Sequence, residues 1–263
     1  MRLCSISSGS EGNCIFISGE KGKILVDAGI SGKRVEEGLK GIGVSPEELD
    51  GIFITHEHLD HIKGVGILAR RYQLPLYGTV ETMHAMLRTK NIGKISEELI
   101  HLVEPDKVVK VKDIIVNPFS IYHDASNPVA YTFQSGEQKI GLATDLGSYD
   151  DYTIHNLKGS NILFLEANHD VNMLQVGPYP YLLKQRILGA RGHLSNGNSA
   201  KLLCQLLSQK LKHVILAHLS KDNNYPDLAY ETVKCELAEH GVECQGNFLS
   251  VANYGTPSSM FEI

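Results

Sequence analysis

Apolar and polar positions alternate along the chain in a way that divides it into short strands and amphipathic helices. In the first third, residues 5–8, 14–18 and 23–27 read as strands separated by the glycine turns at 9–13 and 19–22. Ser31 caps a predicted helix through Lys40, which Gly41 and Gly43 end. The apolar run 51–54 forms a strand that leads into Thr55-His56-Glu57-His58-Leu59-Asp60-His61. A helix follows from about 60 to 72, then the segment 74–77 and a helix over 79–90. The middle is strand-rich, at 100–103, 107–112, 114–122, 129–134 and 139–144. In the last third, strand 161–166, helix 195–208, strand 213–217 and helix 227–239 alternate, and 247–251 closes the series. Helices towards both ends with strands between predict two sheets packed face to face with helices outside. That is an α/β sandwich; the length allows one large domain or two fused halves, and a single domain spanning 1–263 is the expectation.

Composition narrows the class. A hydrophobic content of 42% with 21% charged residues belongs to an ordinary soluble globular chain. No apolar run approaches the ~20 residues that cross a bilayer, and the start lacks a sustained apolar segment. The expectation is a cytoplasmic protein with neither membrane span nor secretion signal. Five cysteines, an odd number without a C-x-x-C pair, read as reduced thiols. A net charge of −5 excludes a surface coated in nucleic acid but leaves room for a local basic patch. The twelve histidines are the more unusual count and call for individual explanation.

His56 and His58 are two apart in an extended segment after a strand, so their side chains point the same way and can share one metal ion. Asp60 and His61 lie where the chain turns into a helix and are placed to serve a second. Two ions about 3.5–4 Å apart generate hydroxide and stabilise a displaced oxygen. Three remote residues also end apolar strands: His123, Asp145 and His218. Each alone reads equally well as a turn former or a satisfied core residue. With the cluster at 55–61, they point to metal-assisted hydrolysis. A polar loop with incidental histidines would instead bury titratable groups at high cost.

The order H-x-H-x-D-H, followed by His, Asp and His at strand ends, resembles the metallo-β-lactamase-fold hydrolase superfamily over essentially the whole chain. The resemblance implies a four-layer αββα sandwich with the site along one edge of the two sheets. It implies that His56, His58 and His123 hold one metal, that Asp60, His61 and His218 hold a second, and that Asp145 bridges both. Five stretches are similar to a narrower bacterial branch, the WalJ/YycJ group: 8–13, 26–29, 55–64, 166–170 and 191–196. That branch is associated with DNA 5′-exonuclease activity. It implies a dinuclear phosphodiesterase with a metal-bridged hydroxide as nucleophile, oriented by Asp60, and DNA as the partner. A donor set of His and Asp without thiolate suits zinc and accepts manganese or iron.

His193 precedes Ser195-Asn196 at a predicted helix start. In related phosphodiesterases such as ribonuclease Z, a Gly-His-Ser segment at such a place supplies a histidine that meets the phosphate. His193 is therefore read as the group that neutralises developing charge or protonates the leaving oxygen, with plain helix capping as the structural alternative. Glu166 and His169 end a strand in the same half and read as supports of the ligands or as a proton relay. The resemblance also implies that Asp27 sits behind the site, orienting a ligand histidine or satisfying backbone. The turn 9–13 is read either as a phosphate cradle or as a tight hairpin turn. Lys184, Gln185, Arg186, Arg191, Lys221, Arg70 and Arg71 are candidates for a basic rim. Tyr179, Pro180 and Tyr181 either stack on a base or pack. His84, His101, His155, His213 and His240 read as structural or surface residues. Competing functions are hydrolysis of a lactone, thioester, β-lactam or cyclic phosphodiester on the same centre, a non-catalytic module, and a redox diiron enzyme. The interval between Asp145 and His218 is too short for a large cap domain, so loops or a partner must select substrate. The oligomeric state stays open, a homodimer included.

Overall fold

A computed structural model describes all residues, Met1–Ile263, and divides them into two compact units. The first comprises Met1–Ser120, Ala125–Glu137 and Asn253–Glu262, and the second Ile121–Asp124, Gln138–Ala252 and Ile263.

The first unit begins with strands β1 (Arg2–Ser7), β2 (Cys14–Ser18) and β3 (Lys23–Val26). Helix α1 (Gly32–Gly41) is capped by Ser31, whose side chain accepts from Arg34 N as its position predicts. Next come β4 (Ile52–Phe53), α2 (Leu59–Ile62), α3 (Val65–Tyr72), β5 (Leu76–Gly78), α4 (Val80–Leu87) and β6 (Ile100–Leu102). A terminal strand, Phe261–Glu262, pairs antiparallel with β1 and completes a sheet whose order runs on through β1, β2, β3, β4, β5 and β6. Pairing from β3 to β6 is parallel. The apolar faces of α1 and α3 meet this sheet in a core that includes Ile6, Phe16, Leu25, Val35, Leu39, Ile52, Val65 and Leu68. The same unit holds an antiparallel meander, β7 (Val109–Val111), β8 (Ile114–Ser120) and β9 (Val129–Ser135).

The predicted helix over 60–72 is broken at Lys63-Gly64. Gly64 N donates 2.7 Å to Ala28 O rather than back along its own helix, while Asp60 O accepts from Asn13 N at 2.8 Å. Tertiary partners take both ends of the hydrogen bond that would have continued the helix.

The second unit contains four parallel strands, β10 (Gln138–Ala143), β11 (Ile162–Glu166), β12 (His213–Ala217) and β13 (Leu249–Val251). The near-continuous burial of β11 and β12 explains why they read as apolar runs rather than alternating ones. Helices α5 (Asp151–Leu157), α6 (Val171–Val176), α7 (Tyr181–Leu188), α8 (Asn196–Leu206) and α9 (Pro226–Glu239) accompany them. The first three were absent from the sequence reading. Asp150 and Asp170 do cap α5 and α6 through Thr153 N and Met173 N, at 3.0 and 2.8 Å. In α7, Tyr181 and Leu182 face solvent, which erases the apolar periodicity. No helix is long and apolar enough to cross a membrane.

Candidate metal centre

In the first unit, β3 and β4 are parallel with Val26 opposite Phe53, so Asp27 and Thr55 leave the sheet at one edge. Asp27 is left-handed, with φ 57°, a conformation that costs any residue with a Cβ. Its N donates to Phe53 O at 2.8 Å, and its carboxylate accepts Thr55 N at 2.9 Å and Thr55 Oγ1 at 2.8 Å. The same carboxylate lies 2.7 Å from His61 Nδ1, both groups being buried. With Nδ1 directed at Asp27, Nε2 is the atom His61 could offer a metal. That nitrogen is 3.4 Å from Asp60 Oδ2 and 3.1 Å from Asn13 Nδ2. Thr55 Oγ1 also lies 3.0 Å from His56 Nδ1. The rings of His56 and His58 are 4.5 Å apart and those of His56 and His61 4.1 Å. Four metal-type donors from 56–61 thus share one edge, with Asp27 beneath them.

The second unit supplies the remaining predicted residues. Parallel register sets Ala143 opposite Leu165 and Glu166 opposite Ala217, which brings Asp145, Glu166 and His218 to the carboxyl ends of adjacent strands. Asp145 and His218 are again left-handed, with φ 61° and 56°. Glu166 Oε1 lies 2.8 Å from His193 Nδ1 and 2.9 Å from His218 Nδ1. Its Oε2 accepts Leu146 N and Leu194 N at 2.8 and 2.9 Å. Burial works to raise the Glu166 pKa, but the charges and hydrogen bonds of the two imidazoles outweigh it and hold the carboxyl well below the usual range. Asp145, Glu166, His193 and His218 offer ligand atoms that all lie within 4.8 Å of one another. His123 Nδ1 is 3.1 Å from Gly192 O, while its Nε2 is 3.7 Å from Asp145 Oδ1.

Imidazoles whose Nδ1 atoms are tied to carboxylates or carbonyls, with further carboxylates beside them, fit a divalent metal. No thiolate competes: burial, then the nearby Asp27 charge, pushes the Cys14 thiol far up. All five cysteines are free.

His169 stays outside this constellation. Its ring is buried and neither ring nitrogen has a hydrogen-bond partner. Burial lowers its pKa to about 4, so it is neutral at pH 7, and a proton relay through it has no hydrogen bond to follow. At the turn 9–13, Gly9 N, Gly12 N and Asn13 N are already bonded to Asn13 Oδ1, Gly9 O and Asp60 O, which favours the plain turn over the phosphate cradle.

Most of the proposed basic rim is spent internally. Lys184 Nζ bonds Gln175 O and Gly177 O, Arg70 bonds Ile92 O, Arg71 pairs with Glu36, and Arg186 pairs with Asp124. Tyr179 OH donates to Asp222 at 2.9 Å, a packing role, whereas Tyr181 is exposed. His101 stacks on Tyr77, His213 Nδ1 meets Asn247 O, and His84, His155 and His240 are exposed. Sequence reasoning missed Thr55 and Asn13 as partners of His56 and His61. Thr55 carries a local signal, since it adjoins His56 at the strand end. Asn13 carries none.

Comparison with known proteins bears on the whole arrangement. A β-lactamase superfamily domain matches residues 23–219. The exodeoxyribonuclease WalJ of Streptococcus pneumoniae is 42% identical over 234 residues, covering 89% of this chain and 87% of that protein. The exodeoxyribonuclease YycJ of Bacillus anthracis is 40% identical over 236 residues, covering 90% and 89%. Among solved structures, the metallo-β-lactamase-fold protein YhfI of Bacillus subtilis superposes with a TM-score of 0.70 at 19% identity, covering 98% of both chains. The fold is therefore the expected α/β sandwich of two mixed sheets flanked by helices. The chain belongs to the β-lactamase superfamily of metallo-hydrolases, in the branch that includes the WalJ and YycJ exodeoxyribonucleases.

Proposed function

We propose that the protein is a dinuclear metal-dependent exonuclease that hydrolyses phosphodiester bonds of DNA. The observation that carries this reading is the 42% and 40% identity, over 89% and 90% of the chain, to two exodeoxyribonucleases. The hydrogen bond from His193 to Glu166 supports it. In this reading His56, His58 and His123 would hold one ion, Asp60, His61 and His218 would hold the other, and Asp145 would serve both. The range 1–263 is read as a single domain. Zinc is the ion best matched to the imidazole-rich set, with manganese or iron as substitutes.

When bound, two divalent ions supply an activated water and a Lewis acid for the phosphate oxygens. The side chains position and move protons around them. Asp60 orients the attacking water and accepts its proton. His193, with Nδ1 engaged by Glu166, offers Nε2 to the leaving oxygen. The ionised Glu166 stabilises the imidazolium that makes this donation. Asp27 fixes the His61 ring in the same manner. His169, buried and without a hydrogen-bond partner on its ring, contributes packing. The cytoplasm, where DNA and reduced thiols coexist, is the compartment this reading assigns.

The test is a nuclease assay on end-labelled DNA and RNA with zinc and manganese compared, and a lactone run in parallel. Stepwise release of nucleotides from DNA is the expected result, and the order of label release reports the end attacked. Turnover of the lactone with both nucleic acids left intact would overturn the proposal.

A further inference from the structure

The segment that follows β11 is stitched to both neighbouring loops of the second unit. Asn168 is buried; its N donates to Leu194 O at 2.9 Å and its O accepts from Ser220 N at 2.7 Å. Its side chain reaches across to His218, where Nδ2 donates to the backbone carbonyl at 2.9 Å. His218 is the residue whose left-handed backbone persists only where its neighbours over-determine it. Asn224 adds a second clasp. Its Nδ2 lies 2.9 Å from Ala167 O and 3.1 Å from Asn168 O, and its side chain forms a reciprocal amide pair with Asn196 at 2.8 and 3.0 Å. Asn196 N in turn donates to His169 O at 2.9 Å. These amides join the segment that follows Glu166 to those that carry His193 and His218.

We infer that Asn168 is a positioning residue. Its amide holds the His218 carbonyl, and with it the turn that aims the imidazole, while the Asn224–Asn196 pair holds the His193 loop in the same frame. The inference rests on the reading of His218 as a metal ligand. A neutral amide suits the place. The buried carbonyl requires a donor, and an aspartate there would set an acceptor against it and a second charge near Glu166.

The experiment measures zinc affinity by competition with a chromogenic chelator, together with kcat and KM on bis-p-nitrophenyl phosphate and the melting temperature. The proteins are the parent, Asn168→Asp, Asn168→Ser, His218→Ala and the Asn168→Asp/His218→Ala double variant. Asn168→Asp is expected to weaken zinc binding and lower kcat by roughly 10-fold or more with KM little changed. In the His218→Ala background the same change is expected to alter zinc affinity less than about twofold, because the two act through one ligand. A folded Asn168→Asp protein with parental zinc affinity and kcat and only a lower melting temperature overturns the inference. So does a full loss that persists in the His218→Ala background. Should the aspartate variant not fold, Asn168→Ser, which keeps a shorter donor, carries the same comparison. His218→Ala binding zinc as the parent does would refute the ligand reading itself, a result separable from either Asn168 outcome.

Discussion

At the scale of single residues, Asp27, Asp145 and His218 share one device: each follows a buried strand and turns into the left-handed region. A rigid strand thereby ends in a polar side chain redirected at the sheet edge, and the strain is held by surrounding hydrogen bonds. Glu166 illustrates a different economy, one carboxylate oxygen serving two imidazoles. From its placement, His193→Ala is expected to keep its bound metal, measured by elemental analysis, while turnover falls by about 10²–10⁴-fold. An unchanged rate would remove it from the mechanism. His169 makes a prediction about stability. Its pKa in the fold is lowered from 6.5 to about 4, so between those pH values the unfolded chain binds the extra proton. Stability from this group is complete above pH 6.5 and is lost as pH falls towards 4, by about 3 kcal/mol. Urea unfolding of chelator-treated protein across that window is expected to show a shallower pH dependence for His169→Phe than for the parent.

At the scale of elements, the parallel registers of β3 with β4 and of β10 to β12 align strand ends that lie far apart in sequence. The strands themselves were legible as apolar runs, and β2 and β12 have the predicted limits. Helix α1 was legible too, since Ser31 and the terminal glycines mark it locally. The break between α2 and α3 was not, because its cause is the backbone of residues 28–30. Gly29 is the tightest point there: a Cβ on it would fall 1.6 Å from Asp60 O. Its N also donates to Asn13 O at 2.7 Å. Gly29→Ala is expected to destabilise the fold by about 2–4 kcal/mol, read by urea denaturation, since backbone rather than a side-chain tip must move. Zinc affinity is expected to fall with it, because Asp60 is displaced. Wild-type stability in Gly29→Ala would contradict this packing.

At the scale of the whole molecule, ion binding at the proposed ligands is expected to stabilise the fold. Calorimetry of the zinc-loaded protein is expected to give one transition. Chelation is expected to cost about 3 kcal/mol relative to free zinc at 100 times its dissociation constant, with a lower melting temperature. A melting profile indifferent to chelation would count against the two-ion reading. The net charge of −5 acquires a different meaning once contacts are known. Arg70, Arg71, Lys184 and Arg186 are engaged within the chain, so the expected basic rim is weaker than a count of its cations suggests.

The sequence alone determined most of the strands, the α/β class and the types of donor, because apolar periodicity and the spacing of 55–61 are local properties written in neighbouring residues. It also marked His123, Asp145, Glu166, His193 and His218 as polar residues beside buried strands or a helix cap. Only the tertiary structure decided which of these meet. It put Glu166 between His193 and His218, kept His169 apart with an unbonded ring, and set Thr55, Asn13 and Asn168 behind the histidines. Those contacts depend on strand register and on backbone carbonyls seeking buried donors, and neither leaves a trace in residue spacing.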